Sequence, residues 1–278
     1  MRSFTTDGLV FDVSDDGPAD GRVVIALHGF PEDRHCWQPL SRPLVAAGYR
    51  VIAPDQRGYS PSARPTGRRS YTVDRLAGDV LALADTAGAR RFDVVGHDWG
   101  ALVTWELAGR HPERVRSLTA LSVPHPGSVA DAVRHSSQLL HSWYVLAFQL
   151  PKVPETVMRL MGPGRAARML ERDGLDADTA RRYAARLAAP EEMTGRVNWY
   201  RALPLAGRDR LGPARAPTLY VWGDRDHYIS RYAVDRNSRY VDGRYRLEVL
   251  DGASHWLPTT AADRIAPLLL EHLGSVPD

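Results

Sequence analysis

The chain has 278 residues, 44% of them hydrophobic and 25% charged, with 36 basic against 33 acidic residues and a net charge of +3. That is ordinary globular composition, long enough for one α/β unit with an insertion. The charges are nearly balanced and spread along the chain, which argues against nucleic acid as a partner, and the single cysteine, Cys36, excludes an internal disulfide and every multi-cysteine metal site. The N-terminal MRSFTTDGLVFDV lacks an apolar leader core, and no run approaches the roughly 18 apolar residues of a membrane span. No membrane partner is expected, and the cytoplasm is the expected compartment.

Apolar, β-branched runs bounded by turns predict strands at 9–13, 22–28 and 49–55. A helix is expected over TVDRLAGDVLALADTAG (72–88), where Leu76, Val80, Leu83 and Ala84 share a face. A strand at 91–97 leads into a helix from Trp99 to Arg110 that stops before Pro112, followed by a strand at 117–123. From 125 to 213 no strand is legible. DAVRHSSQLLHSWYVLAFQL, PETVMRLMG and DADTARRYAARLA read as helices punctuated by proline and glycine. Strands at 217–224 and 245–251 and a closing helix over AADRIAPLLLEHL, irregular at Pro267, complete the order. The arginine-rich segments ARPTGRRS (63–70) and RDRLGPARA (208–216) read as solvated loops.

Several strands are apolar throughout, as parallel strands covered on both faces are. The chain therefore divides into an α/β core, 1–124 and 214–278, and a helical cap, 125–213, over the active-site edge of the sheet.

The stretch VVGHDWGA (94–101) sits where the 91–97 strand meets the next helix. G-x-Nu-x-G in that setting is a nucleophile elbow, whose glycines permit a tight turn that exposes the central side chain. Here that side chain is Asp98, at a helix N-terminus whose dipole favours the carboxylate; its alternative role is a plain helix cap. An orienting acid and a histidine follow in chain order. Asp226 in YVWGDRDHYIS lies deeper in its loop than Asp224, which reads as a turn residue, and His255 follows the last strand in LDGASHWLP. In LHGFPE (27–32), Gly29 turns the chain, Phe30-Pro31 is a candidate cis bond, and the Phe30 and Trp99 N–H groups are candidate oxyanion donors.

With HGFPE, DQRGYS and VGHDWGA in this order, the chain resembles the epoxide hydrolases of the α/β-hydrolase fold over nearly its whole length. The resemblance implies a mostly parallel twisted sheet flanked by helices, with a helical cap inserted after the sixth strand. It also implies two cap tyrosines that hold and protonate the epoxide oxygen, which fall on Tyr144 in WYVLAFQ and Tyr200 in VNWYRA. The implied reaction needs no cofactor and no metal. Its partners are a small apolar epoxide and water, and a homodimer is a compatible assembly.

The chemistry accounts for the aspartate. A carboxylate attacking saturated carbon leaves an ester that water can hydrolyse, whereas a serine would leave an ether. A haloalkane dehalogenase would share the aspartyl ester but hold a halide, with Trp99 and either Trp143 or Trp199 as indole donors and no use for paired tyrosines. A catalytically altered ligand-binding or tailoring protein is the reading from another class, opposed by the complete Asp98, Asp226, His255 set. The absence of any G-x-S-x-G argues against a serine esterase.

Overall fold

The structure, a computed structural model, describes residues 1–205 and 211–277; positions 208–210 of the arginine-rich segment 208–216 lie outside the described residues. Eight strands are formed: β1 (Ser3–Thr6), β2 (Leu9–Asp16), β3 (Val23–Leu27), β4 (Arg50–Pro54), β5 (Phe92–His97), β6 (Val115–Leu121), β7 (Thr218–Gly223) and β8 (Tyr245–Leu250). The helices of the sheet layer are α1 (Gln38–Ala46), α2 (Val73–Thr86) and α3 (Trp99–Arg110). Six more, α4 (Pro126–His135), α5 (Gln138–His141), α6 (Trp143–Phe148), α7 (Val153–Arg172), α8 (Ala177–Leu187) and α9 (Pro190–Ala202), run between β6 and β7. The last are α10 (Arg231–Arg236), α11 (Leu257–Thr260) and α12 (Ala262–Gly274).

The strands form one sheet in the order β1-β2-β4-β3-β5-β6-β7-β8. From β4 to β8 every neighbouring pair is parallel, while β1–β2 and β2–β4 are antiparallel. β1 escapes a periodicity reading because only Phe4 of its four residues is buried. The two-residue Asp7-Gly8 loop, both at positive φ (52° and 72°), turns it back onto β2; such a turn matches strand twist, and Asp-Gly is its favoured sequence. β1 brings to six the strands that precede the helical stretch.

Side-chain alternation explains the unbroken apolar strands. In β3, Ile25 and Leu27 join the core with Leu76, Val80 and Leu83 of α2, whereas Val24 and Ala26 face the other core with Leu40, Leu44, Ile265 and Leu269 of α1 and α12. Each such fully buried Leu, Ile or Val contributes about 1.5–3 kcal/mol. Both faces being covered, what stays open is the edge where the strands end, and there the loops after β3, β5, β7 and β8 gather.

A third core joins α7, α8 and α9 through Leu170, Tyr183, Leu187 and Val197 and reaches Trp256 below. α9 is seated by main chain against main chain: a Cβ on Gly195 would lie 2.7 Å from the Gly58 carbonyl oxygen, and one on Gly58, itself at φ +91°, 2.7 Å from the Gly195 oxygen. The Trp199 indole donates to the Arg57 carbonyl at 2.7 Å in the same seam. Asp33, fully buried, pairs with Arg186 of α8 at 3.2 Å. These contacts fix where the tyrosine-bearing helix stands relative to the sheet.

Candidate active site

Asp98 occupies the point of the turn from β5 to α3 with φ 50° and ψ −116°, strained for a residue with a Cβ. The glycines around it admit no side chain. A Cβ on Gly96 would come within 2.3 Å of the Gly100 oxygen, one on Gly100 within 2.0 Å of the Leu27 oxygen, and one on Gly29 within 2.4 Å of Asp98 Cβ. Phe30-Pro31 is cis.

The two carboxylate oxygens of Asp98 have different surroundings. Oδ1 accepts the Phe30 N–H at 2.8 Å, and Oδ2 lies 3.7 Å from His255 Nε2. His255 Nδ1 lies 2.8 Å from Asp226 Oδ2, and the other Asp226 oxygen accepts the Tyr228 and Ile229 N–H groups at 2.7 and 3.2 Å. Asp224 instead accepts the Gly252 N–H at 2.7 Å and ties the loop after β7 to the loop after β8. The Nδ1 contact with a carboxylate places a proton on that nitrogen and directs Nε2 at Asp98.

Burial opposes the charge of Asp98, yet the hydrogen bond and charge of His255, the nearby His97 and the Phe30 N–H outweigh it and hold the carboxyl below its ordinary pKa. Burial likewise opposes the imidazolium of His255, but the Asp226 and Asp98 carboxylates lift its pKa well above 6.5. The resting site is a buried histidine cation between two carboxylates.

Across from Asp98 stand the two tyrosines. Tyr144 on α6 and Tyr200 on α9 have ring centroids 6.0 Å apart and line one cavity of about 500 Å³ together with Asp98 and His255. Burial raises both phenol pKa values well above 10, and the negative charge of Asp98 adds to the rise, so both hydroxyls keep their protons at neutral pH. The remaining wall is apolar, with Phe148, Val157, Met158, Met161 and Leu187 among its residues. Among the described residues no group of three or more His, Cys, Asp or Glu is placed to hold a metal ion.

The indole donors of the dehalogenase reading are arranged differently from expectation. The N–H of Trp199 is engaged with the Arg57 carbonyl, and the Trp99 side chain is hydrogen-bonded to Tyr200, against whose ring it packs edge-on (4.8 Å, 84°). Trp143 does line the cavity but is 66% exposed, too wet to strip a halide of water.

Over residues 22–262 the chain matches the alpha/beta hydrolase fold family. The AB hydrolase superfamily protein YfhM of Bacillus subtilis (strain 168) is 35% identical over 274 residues, covering 96% of each chain. Epoxide hydrolase A of Mycobacterium tuberculosis is 32% identical over 321 residues, covering 98% of this chain and 96% of that one. This chain belongs to the epoxide hydrolase family of the α/β-hydrolase fold. Epoxide Hydrolase A from Mycobacterium thermoresistibile, a solved member of that family, superposes with a TM-score of 0.85 at 30% identity, covering 99% of this chain and 98% of that one.

Several supporting residues of this family member are not evident from the motifs alone. Glu32 Oε2 accepts the Gly29 N–H at 2.9 Å and lies 2.7 Å from His97 Nδ1, while His97 Nε2 lies 2.8 Å from the His255 carbonyl oxygen. His28 Nε2 accepts the Gln56 N–H at 3.1 Å, which leaves Nδ1 to donate to the Gly29 carbonyl at 3.0 Å and pins the Phe30 turn. Burial pushes the His28 pKa down, consistent with a neutral ring. Asp173 accepts from both the Tyr228 hydroxyl (2.7 Å) and the Trp256 indole (3.0 Å), so those two rings present only apolar faces to the cavity. Glu32, His28 and His97 lie inside the quoted motifs, which was the available signal; their partners are set by strand adjacency.

Proposed function

We propose that the protein is an epoxide hydrolase that opens its substrate to a vicinal diol through an ester on Asp98, with residues 125–213 acting as the cap and residues 1–124 and 214–278 as the core. Asp98 Oδ2, the oxygen that does not accept the Phe30 N–H, attacks a ring carbon. The carbon–oxygen bond of the ring breaks as Tyr144 and Tyr200 donate hydrogen bonds to the oxygen and supply its proton.

Esterification removes the negative charge of Asp98, and with it one of the two carboxylates that hold His255 as a cation. The imidazole then gives up its extra proton more readily, that proton restores the tyrosine hydroxyl spent in ring opening, and the neutral ring serves as a base, oriented by Asp226. His255 Nε2 takes a proton from water as the water oxygen bonds to Asp98 Cγ. The negative charge that develops on Oδ1 meets the Phe30 N–H already bound there and the Trp99 N–H at the first turn of α3. Collapse breaks the bond between Cγ and Oδ2, the imidazolium gives its proton to Oδ2 as it departs with the product, the water oxygen remains on Asp98 in its place, and the diol leaves. The apolar wall suits a small apolar epoxide, with water as the second substrate.

The observation that carries this reading is the pairing, across one apolar cavity, of Asp98 within reach of His255 with the protonated hydroxyls of Tyr144 and Tyr200. The test is trapping. A His255→Gln variant incubated with styrene oxide should gain the mass of one substrate on Asp98, and the same variant carrying Asp98→Asn should gain none. An adduct formed by a bromoalkane but not by styrene oxide would replace this reading with dehalogenation.

A further inference from the structure

Ten of the thirteen large apolar side chains that are exposed among the described residues lie between positions 133 and 169, on α4 to α7 and their connections. Scattered exposed leucines are ordinary, but such concentration in one stretch of the cap region is the kind that marks an interaction surface. Leu140 is 76% exposed, Leu160 73%, Trp143 66% and Leu146 63%. The face is also the cavity's entrance, because Trp143, Val153, Val157 and Met169 are both exposed and part of the cavity wall.

Charge singles out the same segment. Between 134 and 172 stand Arg134, Lys152, Arg159, Arg165, Arg168 and Arg172, all exposed, against only Glu155 and Glu171. That excess of four exceeds the +3 of the whole chain. Glu155 is moreover engaged by Arg201 at 2.7 Å, whereas none of the six cations has an ion-pair partner among the described residues.

We propose that this face docks on an anionic phospholipid bilayer surface, with the cavity mouth turned towards the lipid. Leucine and tryptophan side chains enter the interfacial zone while the surrounding arginines meet lipid phosphates. A second copy of the chain fits less well, since an isologous contact would bring two positive faces together. A polyanion such as RNA would satisfy the arginines but leave Leu140 and Leu160 in water. No described helix is long and apolar enough to cross a membrane, so the proposed contact is peripheral. The consequence is that an epoxide dissolved in the bilayer enters the cavity without crossing water. The docking itself depends on the surface and not on the reaction proposed for the cavity.

The experiment is flotation of the purified full chain with phosphatidylcholine vesicles, with and without phosphatidylglycerol. The protein should float with the phosphatidylglycerol vesicles, and less so as salt is raised. Arg159→Glu with Arg165→Glu should weaken binding on the order of tenfold or more. Leu140→Ser with Leu160→Ser should also release it while turnover of a water-soluble epoxide is unchanged. Failure to float with phosphatidylglycerol vesicles, or flotation indifferent to both double variants, overturns the proposal. So does concentration-dependent dimerisation that the leucine variants abolish, which would make the face a contact between copies, or RNA binding that they leave intact.

Discussion

His97 Nε2 lies 2.8 Å from the main-chain carbonyl oxygen of His255, so the residue preceding Asp98 holds the backbone of the histidine that faces it. The Ser122 hydroxyl donates to the same oxygen at 2.7 Å. The distance between Asp98 and His255 is thereby set by strands β5 and β6 and not by the long loop that carries His255.

His97→Leu should therefore act on both stability and chemistry. The variant leaves Glu32, which is completely buried, without its partner at 2.7 Å. Leaving one member of a buried hydrogen-bonded pair without its partner costs about 1–3 kcal/mol, and more where the group is charged. Urea denaturation should show a lowered midpoint, and single-turnover kinetics should show ester hydrolysis slowed more than ester formation. An unchanged midpoint would mean that the pair does not support the site.

Gly29→Ala introduces a Cβ 2.4 Å from Asp98 Cβ and 2.6 Å from its Oδ1. The clash displaces the Asp98 carboxylate, the proposed nucleophile, while the cores of the sheet are untouched. Misplacement by about 1 Å is worth on the order of 10² in rate. Circular dichroism should stay native while turnover falls at least that far, and retention of full activity would contradict the tight approach of the Phe30 turn to Asp98.

In the proposed ring opening both tyrosines donate to one oxygen of the substrate, so either alone should retain part of the effect. Tyr144→Phe and Tyr200→Phe should each slow ring opening, and the double variant should slow it by roughly 10²–10⁴, the range of a general acid. Stopped-flow measurement of ester formation isolates that step. Equal rates in the double variant and the parent protein would reduce both residues to packing.

The pH dependence follows from the histidine cation. Because the folded-state pKa of His255 lies well above 6.5, the charged site contributes its full stability below about 6.5, the ordinary imidazole value, and loses it as pH rises through the raised pKa. NMR titration should find the His255 pKa lowered in Asp98→Asn and also in Asp226→Asn, since each removes one neighbouring negative charge. A pKa unmoved by both substitutions would show that the carboxylates do not set it.

The fold class and the order of its elements were legible because they rest on local rules. Apolar runs without alternation, as in VVIAL, identify strands covered on both faces, and the leucine spacing of 72–88 identifies a helix against a sheet. The elbow was legible for the same reason, since its glycines and its position between strand and helix are adjacent in sequence. β1 was not, because four residues with one buried side chain carry no period, and only pairing with β2 makes them a strand. Within the site, sequence order placed Asp98, Asp226 and His255 in loops at one edge of the sheet, but three loops can share an edge without their side chains meeting. Which Asp98 oxygen accepts the Phe30 N–H, that Trp199 spends its indole on Arg57, and that His97 braces His255 from 158 residues away are decided by contacts between segments far apart in the chain. Such contacts leave no periodic trace, because each is a single hydrogen bond whose two ends are brought together only when the sheet closes and α9 settles against Gly58.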